Sequence, residues 1–254
     1  MNTEEERRIL IQFPQAVDQQ MRFTIAHSGA NRTYQARLYL TGTHHSEINT
    51  IAENFQRQGV YAEGSAAAFL EYWLPQFQIG QKIRIQLVEN AAIRIEVIKG
   101  NKRINLADLG FGAGQILTIL LQLATLIQAR DEQLLIVNKS RDLPTIALIE
   151  EPEANLHPQF QSRLAELFAE AAHRYGLQFV IETHSEYFIR NIQVLVKEQQ
   201  RFNQFKVYYL DTPSEANGHK HGHEMRLRED GVFMDEFGEG FLMNESANLT
   251  FKLF

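Results

Sequence analysis

The residues that most constrain this chain are Thr145-Ile-Ala-Leu-Ile149, a short, nearly all-apolar run ending at two adjacent carboxylates, Glu150 and Glu151. So short a run without polar alternation is expected of a strand buried on both faces, as in a parallel sheet between helix layers. The flanking sequence agrees. Pro158–Tyr175 reads as a helix stopped by Gly176, Gln178–Ile181 as a second buried strand, and Lys206–Leu210 as a third. Between the last two, Ser185 caps a helix running to about Gln199. Helices alternating with buried strands predict an α/β fold whose largely parallel sheet is flanked by helices. The tail adds a C-terminal hairpin, His223–Leu227 and Gly231–Met234.

Upstream the chain has a different character: an N-terminal α+β portion, residues 1–100, is expected before a lobe over 101–254. Met1–Gln58 is the least legible part, with a strand at Tyr34–Leu40 and a helix at Ser46–Gln58. Ala66–Trp73 is helical. Lys82–Val88 and Ala92–Lys99 alternate apolar and polar residues around Glu89–Ala91, the pattern of a β-hairpin. A glycine-rich loop, Gly110–Gly114, then opens a helix that runs to about Ala129.

Composition narrows the setting. The absence of cysteine excludes a disulfide framework and thiolate zinc sites, and fits a reducing cytoplasm. A net charge of −6 gives no support to nucleic-acid binding through bulk charge. Met1–Arg8 is acidic and no apolar signal segment follows it. The longest apolar stretch, Ile116–Ile127, is broken by Gln122 and too short to span a bilayer, so no membrane partner is expected.

The chemistry lies where the strands end. In an open α/β sheet, ligands bind beyond the carboxyl ends of the strands, where Glu150 and Glu151 fall. Two neighbouring carboxylates are costly to bury unless a cation or proton relieves them. Magnesium bound to phosphates would do so, leaving one carboxylate to orient a water. Glu182-Thr-His-Ser185 brings His184 to the same edge, one β-α-β unit later. Upstream, the glycines of Leu109-Gly-Phe-Gly-Ala-Gly-Gln115 allow close approach of an anion to a helix N-terminus.

These motifs, in this order, resemble the ABC ATPase superfamily. More closely they resemble the SMC/OLD-like AAA-type ATPases of bacterial genome-maintenance and phage-defence systems. The resemblance covers Leu106–Arg190 best and extends to Tyr72–Lys99. It implies ATP and Mg2+ as cofactors. Gly112, Ala113, Gly114 and Gln115 would be the signature loop that meets the γ-phosphate of a nucleotide held by the opposite subunit. Glu150 would take the magnesium side of Walker B and Glu151 would be the catalytic base. Glu153–His157 would be the D-loop, with Asn155 and His157 toward the nucleotide, and His184 the switch histidine. Two positions depart from the pattern. The signature serine would fall at Gly112 or Gly114, and Glu150 stands where aspartate is more usual.

One part is missing. A P-loop, G-x-x-x-x-G-K-[ST], needs a glycine followed by lysine, and none of the 15 glycines is. Gly59–Ser65 has the glycine spacing but no lysine, and it places Glu63 where phosphates would sit. Three explanations are open: a split ATPase completed by a P-loop-bearing chain, a degenerate relative, or a truncated form. The presence of Glu150, Glu151, Gln115 and His184 favours the first. Expected partners are that chain, head-to-tail self-association and an effector protein. A non-hydrolysing ATPase-like scaffold is the alternative. His219, His221 and His223 could in principle chelate a metal, but read more simply as a solvated hairpin loop.

Overall fold

The computed structural model describes residues 24–30, 35–42, 46–58, 63–136, 144–199, 204–210 and 222–238. In chain order the elements are β1 (Thr24–Ser28), β2 (Tyr39–Leu40), α1 (Glu47–Gln58), α2 (Ser65–Gln76), β3 (Lys82–Val88), β4 (Ala92–Lys99) and β5 (Lys102–Asn105). There follow α3 (Phe111–Ile136), β6 (Thr145–Glu150), α4 (Pro158–Tyr175), β7 (Leu177–Glu182), α5 (Glu186–Gln199), β8 (Val207–Tyr209) and β9 (His223–Met225). They fall into two compact units. One comprises Met1–His157 with Leu167–Thr183, the other Pro158–Glu166 with His184–Phe254. Residue 100 lies in the turn between the paired strands β4 and β5.

The first unit contains both larger sheets. β2, β3 and β5 pair antiparallel with β4, and the β3–β4 hairpin spans the residues its alternation predicts. α3 packs against α1 and α2. Its middle, Ile116–Ala124, is buried on every side, so it is apolar except at Thr118 and Gln122 rather than amphipathic. The segment Phe111–Glu132 is long and apolar enough to cross a membrane by composition, yet 72% of its most apolar stretch is buried inside the fold. It serves here as a core helix. Trp73 of α2 is buried as well.

The second sheet is parallel, in the order β1–β6–β7. Ala26, Ala147 and Phe179 align across it, as do His27, Leu148 and Val180. One face is covered: Thr145, Ala147, Ile149 and Leu177 are buried, and Phe168 of α4 stacks against Phe179 with ring centres 5.1 Å apart. The opposite face is left open among the described residues. Ile25 is 52% exposed, Val180 61%, and Ile146 and Leu148 between them are half-buried. The α/β class expected from the sequence is present, but β6 is not buried on both faces. Its apolar run without alternation conceals an alternation of burial.

Two other expectations are corrected. The strand read at Lys206–Leu210 does not join the parallel sheet; β8 pairs antiparallel with β9 in the second unit. Of the strand read at Tyr34–Leu40, the described residues form only β2, and Tyr34 lies outside them. In the second unit Ser185 caps α5, its Oγ accepting from Phe188 N–H at 3.1 Å and donating to Gln161 Oε1 at 2.6 Å. The tail hairpin is present between residues 226 and 234, with a bridge joining Leu227 and Phe233. Gln193 Nε2 ties it to α5 by donating to Gly231 O at 2.7 Å.

Candidate functional site

Everything read as chemically active in β6 stands at one end of the parallel sheet. Glu150 is the last residue of β6 and aligns with Glu182, the last of β7. Glu151 N–H donates to Glu182 O at 2.9 Å, carrying the strand pairing one residue further. There the pleat breaks. Glu151 has φ +40, a left-handed backbone that non-glycine residues seldom adopt, and the chain turns out of the sheet. The turn is closed by Ala154 N–H on Glu151 O and by Leu156 N–H on Glu153 O. Asn155, at φ +61, is the second left-handed residue, a conformation asparagine tolerates better than most. Glu153 is buried, whereas Asn155 and His157 are exposed.

The Glu150 carboxylate is held from the neighbouring strand. His27 Nε2 lies 2.9 Å from Oε1, and Ala30 N–H donates to Oε2 at 3.2 Å. Both groups belong to the end of β1 and the residues just after it, a contact spanning 123 positions of sequence that the sequence reading missed. No local signal could have revealed it, because a lone histidine in Thr-Ile-Ala-His-Ser carries no motif. His27 is itself fixed from the backbone side: Gln122 Nε2 donates to its carbonyl oxygen at 3.2 Å.

The glycine segment is placed differently from the loop expected. Gly110 accepts the first helical hydrogen bonds, from Ala113 and Gly114 N–H, so Gly112, Ala113 and Gly114 form the first turn of α3. Glycine costs little there, where the helix has not yet closed its own hydrogen bonds. Gly112 abuts the turn after β6: a Cβ at this position would stand 2.9 Å from Asn155 O and 3.2 Å from Leu156 Cδ2. Gly114 and Gln115 are buried beneath it, and Thr118 Oγ1 donates to Gly114 O at 2.9 Å. The start of α3 and the turn 151–156 are therefore in contact within this unit.

His184 lies two residues beyond β7, is exposed, and begins the second unit. His223 sits on β9 with its ring 5.9 Å from that of Tyr209, and His219 and His221 lie outside the described residues. Among the described residues no group of three or more histidines or carboxylates is arranged to hold a metal by itself. The sheet edge thus offers hard oxygen donors that could share a cation with a ligand's own oxygens, rather than enclose one.

The AAA ATPase domain family matches residues 4–189. No curated protein sequence matches. Among solved structures, the chain is similar to an Smc head domain with coiled coil and joint from Pyrococcus yayanosii, at 14% identity and a TM-score of 0.42. That match covers 65% of this chain and 27% of the other. A Pyrococcus furiosus Smc head bound to the C-terminal domain of ScpA matches at 18% identity and 0.33, over 56% of this chain and 29% of that one. A third, from work on ATP-driven dimerization and DNA-stimulated activation of SMC ATPases, matches at 13% and 0.41, covering 81% and 96%. The chain spans under a third of the first two structures.

Proposed function

The chain belongs to the AAA ATPase domain family, and from that premise we propose that it is the signature-and-Walker-B half of an ATP-hydrolysing site, completed by a P-loop on a second chain or in a further N-terminal segment. The observation that carries this reading is the group of carboxylates at the ends of β6 and β7, in a sequence where no glycine precedes a lysine. The edge has groups suited to a cation and a water, and lacks the backbone cradle that β- and γ-phosphates require.

Magnesium arriving with ATP would neutralise charge on the phosphates. Glu150 is the residue suited to hold it, since Mg2+ takes one or two protein carboxylates and completes its shell with water and phosphate oxygens. His27 and the Ala30 N–H orient that carboxylate. Glu151, at the break in the pleat, accepts a hydrogen bond from the attacking water and takes its proton as the water oxygen bonds to the γ-phosphorus and the bridging oxygen leaves with ADP. His184 contacts the γ-phosphate. Gly112, Ala113, Gly114 and Gln115, with Asn155 and His157, close on nucleotide held by a subunit associated head to tail. We place this assembly in the cytoplasm, coupled to an effector in phage defence or genome maintenance.

The test is ATP turnover by the native complex, purified in Mg-ATP from the host. The wild-type complex turns over ATP, and Glu151→Gln lowers kcat by about 10²- to 10⁴-fold while nucleotide binding persists. A wild-type complex without turnover, or a Glu151→Gln complex as fast as wild type, would sink the reading in favour of a non-hydrolysing scaffold.

A further inference from the structure

Arginines from two helices meet in a cleft of about 580 Å³ within the first unit, a size ordinary for a small-molecule site. Arg130 and Asp131 come from α3, and Arg174 and Tyr175 end α4 just before Gly176. The Arg130 guanidinium lies against Gly176: a Cβ there would stand 2.7 Å from Nη2 and 3.1 Å from Cζ. Arg174 Nη1 donates to Glu170 Oε1 at 2.7 Å, and its remaining N–H groups bond to no described residue. Tyr175 is fixed edge-on against Phe69, with ring centres 5.8 Å apart. Two guanidiniums and one carboxylate, Asp131, line the cleft, which is therefore positive in a chain of net charge −6.

The remaining wall is the start of α2, at Gly64 and Ser65. Gly64 takes φ +109 and leads into a helix that no side chain caps and whose first turn holds no acidic residue. Ala68 N–H is the first to bond back, to Gly64 O at 3.1 Å. The N–H groups of Ser65, Ala66 and Ala67 precede that bond and have no helical acceptor. Glu63 is exposed and lies outside the lining. These are the glycine and serine of the segment that resembles a phosphate loop without a lysine, and here two arginines stand beside them.

We propose that the cleft between Arg130, Arg174 and the start of α2 is an anion site that takes a phosphate or diphosphate group carried by a small molecule. A guanidinium meets two phosphate oxygens in a forked pair, and a third oxygen is left for the helix N–H groups. A carboxylate has only two oxygens to share between them. The site is remote from the carboxylate edge. Gly176 precedes the first residue of β7 and Glu182 is the last, so the six residues of that strand separate the two by about 20 Å. The inference goes beyond the ATPase reading and does not depend on it.

The probe is sodium pyrophosphate, titrated into the purified full chain by isothermal calorimetry in the absence of divalent metal. Saturable heat is expected, with a Kd of about 1 mM or tighter, and none from sodium acetate at equal ionic strength. Arg130→Gln and Arg174→Gln each weaken binding by about tenfold or more. Ser65→Asp separates this from misfolding. A carboxylate at the start of α2 favours the helix through its dipole yet repels the anion, so binding falls while Tm holds or rises. Asp131→Asn removes the carboxylate from the lining and tightens binding by about threefold, a gain that loss of structure cannot imitate. The proposal is overturned by the absence of saturable heat or by equal heat from acetate. Affinity unchanged in both arginine variants or in Ser65→Asp places the pyrophosphate elsewhere and overturns it too, as does an Asp131→Asn chain that binds no tighter.

Discussion

Gly112 shows how little room the site leaves at the scale of one residue. Its missing side chain is what lets the first turn of α3 lie against the carbonyl of Asn155. A methyl group there meets backbone rather than the pliable end of a side chain, so Gly112→Ala forces a shift in the turn after Glu151. We expect a loss of about 1–3 kcal/mol, read as a lower midpoint in urea unfolding. An unchanged midpoint would show that the contact is not tight. In the sequence Gly112 stands out for a different reason, as a place where an anion can approach. Glu150 and Glu151 stand out because an apolar run stopping at paired carboxylates is a local pattern. His27 does not, because its role is defined by a strand 123 positions away.

At the scale of elements, legibility followed local contrast. The β3–β4 hairpin and α4 were placed within the residues their periodicity marks, since alternation and a Gly176 stop are written in adjacent residues. β1 was missed because Thr-Ile-Ala-His-Ser has little apolar content, and its only described partner is β6, far along the chain. α3 continues past Ala129 through Arg130, Asp131 and Glu132, because charged residues can sit on the outer side of a helix that is otherwise core. The tail hairpin carries a prediction of its own. Arg226, through its guanidinium and its backbone N–H, holds the Asp235 carboxyl down at about 2, from a usual value of 3.8. A folded-state value lower than the unfolded one stabilises above the unfolded value and is lost as pH falls from about 4 to 2. An NMR titration should therefore find the Asp235 carboxyl titrating at about 2, well below its usual 3.8. Asp235→Asn should remove its share of the acid unfolding limb, and an Asp235 that titrates near 3.8 would show the pairing is not kept in solution.

For the whole molecule, the outcome that the sequence could not foretell is the uneven burial of the parallel sheet. Five apolar or small residues in succession look the same whether one face is covered or two. Only the register with Ile25 and Val180 shows that half of the strip is open among the described residues. An open apolar face beside a free strand edge is a template for unwanted pairing. The isolated chain should therefore self-associate as its concentration rises, by light scattering, and Val180→Asp should reduce that association. A chain that stays monodisperse at all accessible concentrations would mean that something else already shields the sheet.

The same open sheet bears on supply as well as on assembly. Copies made in excess of whatever covers β7 circulate with a sticky edge, exposed to chaperones, proteases and one another. Under the two-chain proposal, balanced synthesis of the two polypeptides becomes a condition of survival in the cell, because orphaned copies are cleared first and abundance follows the scarcer one.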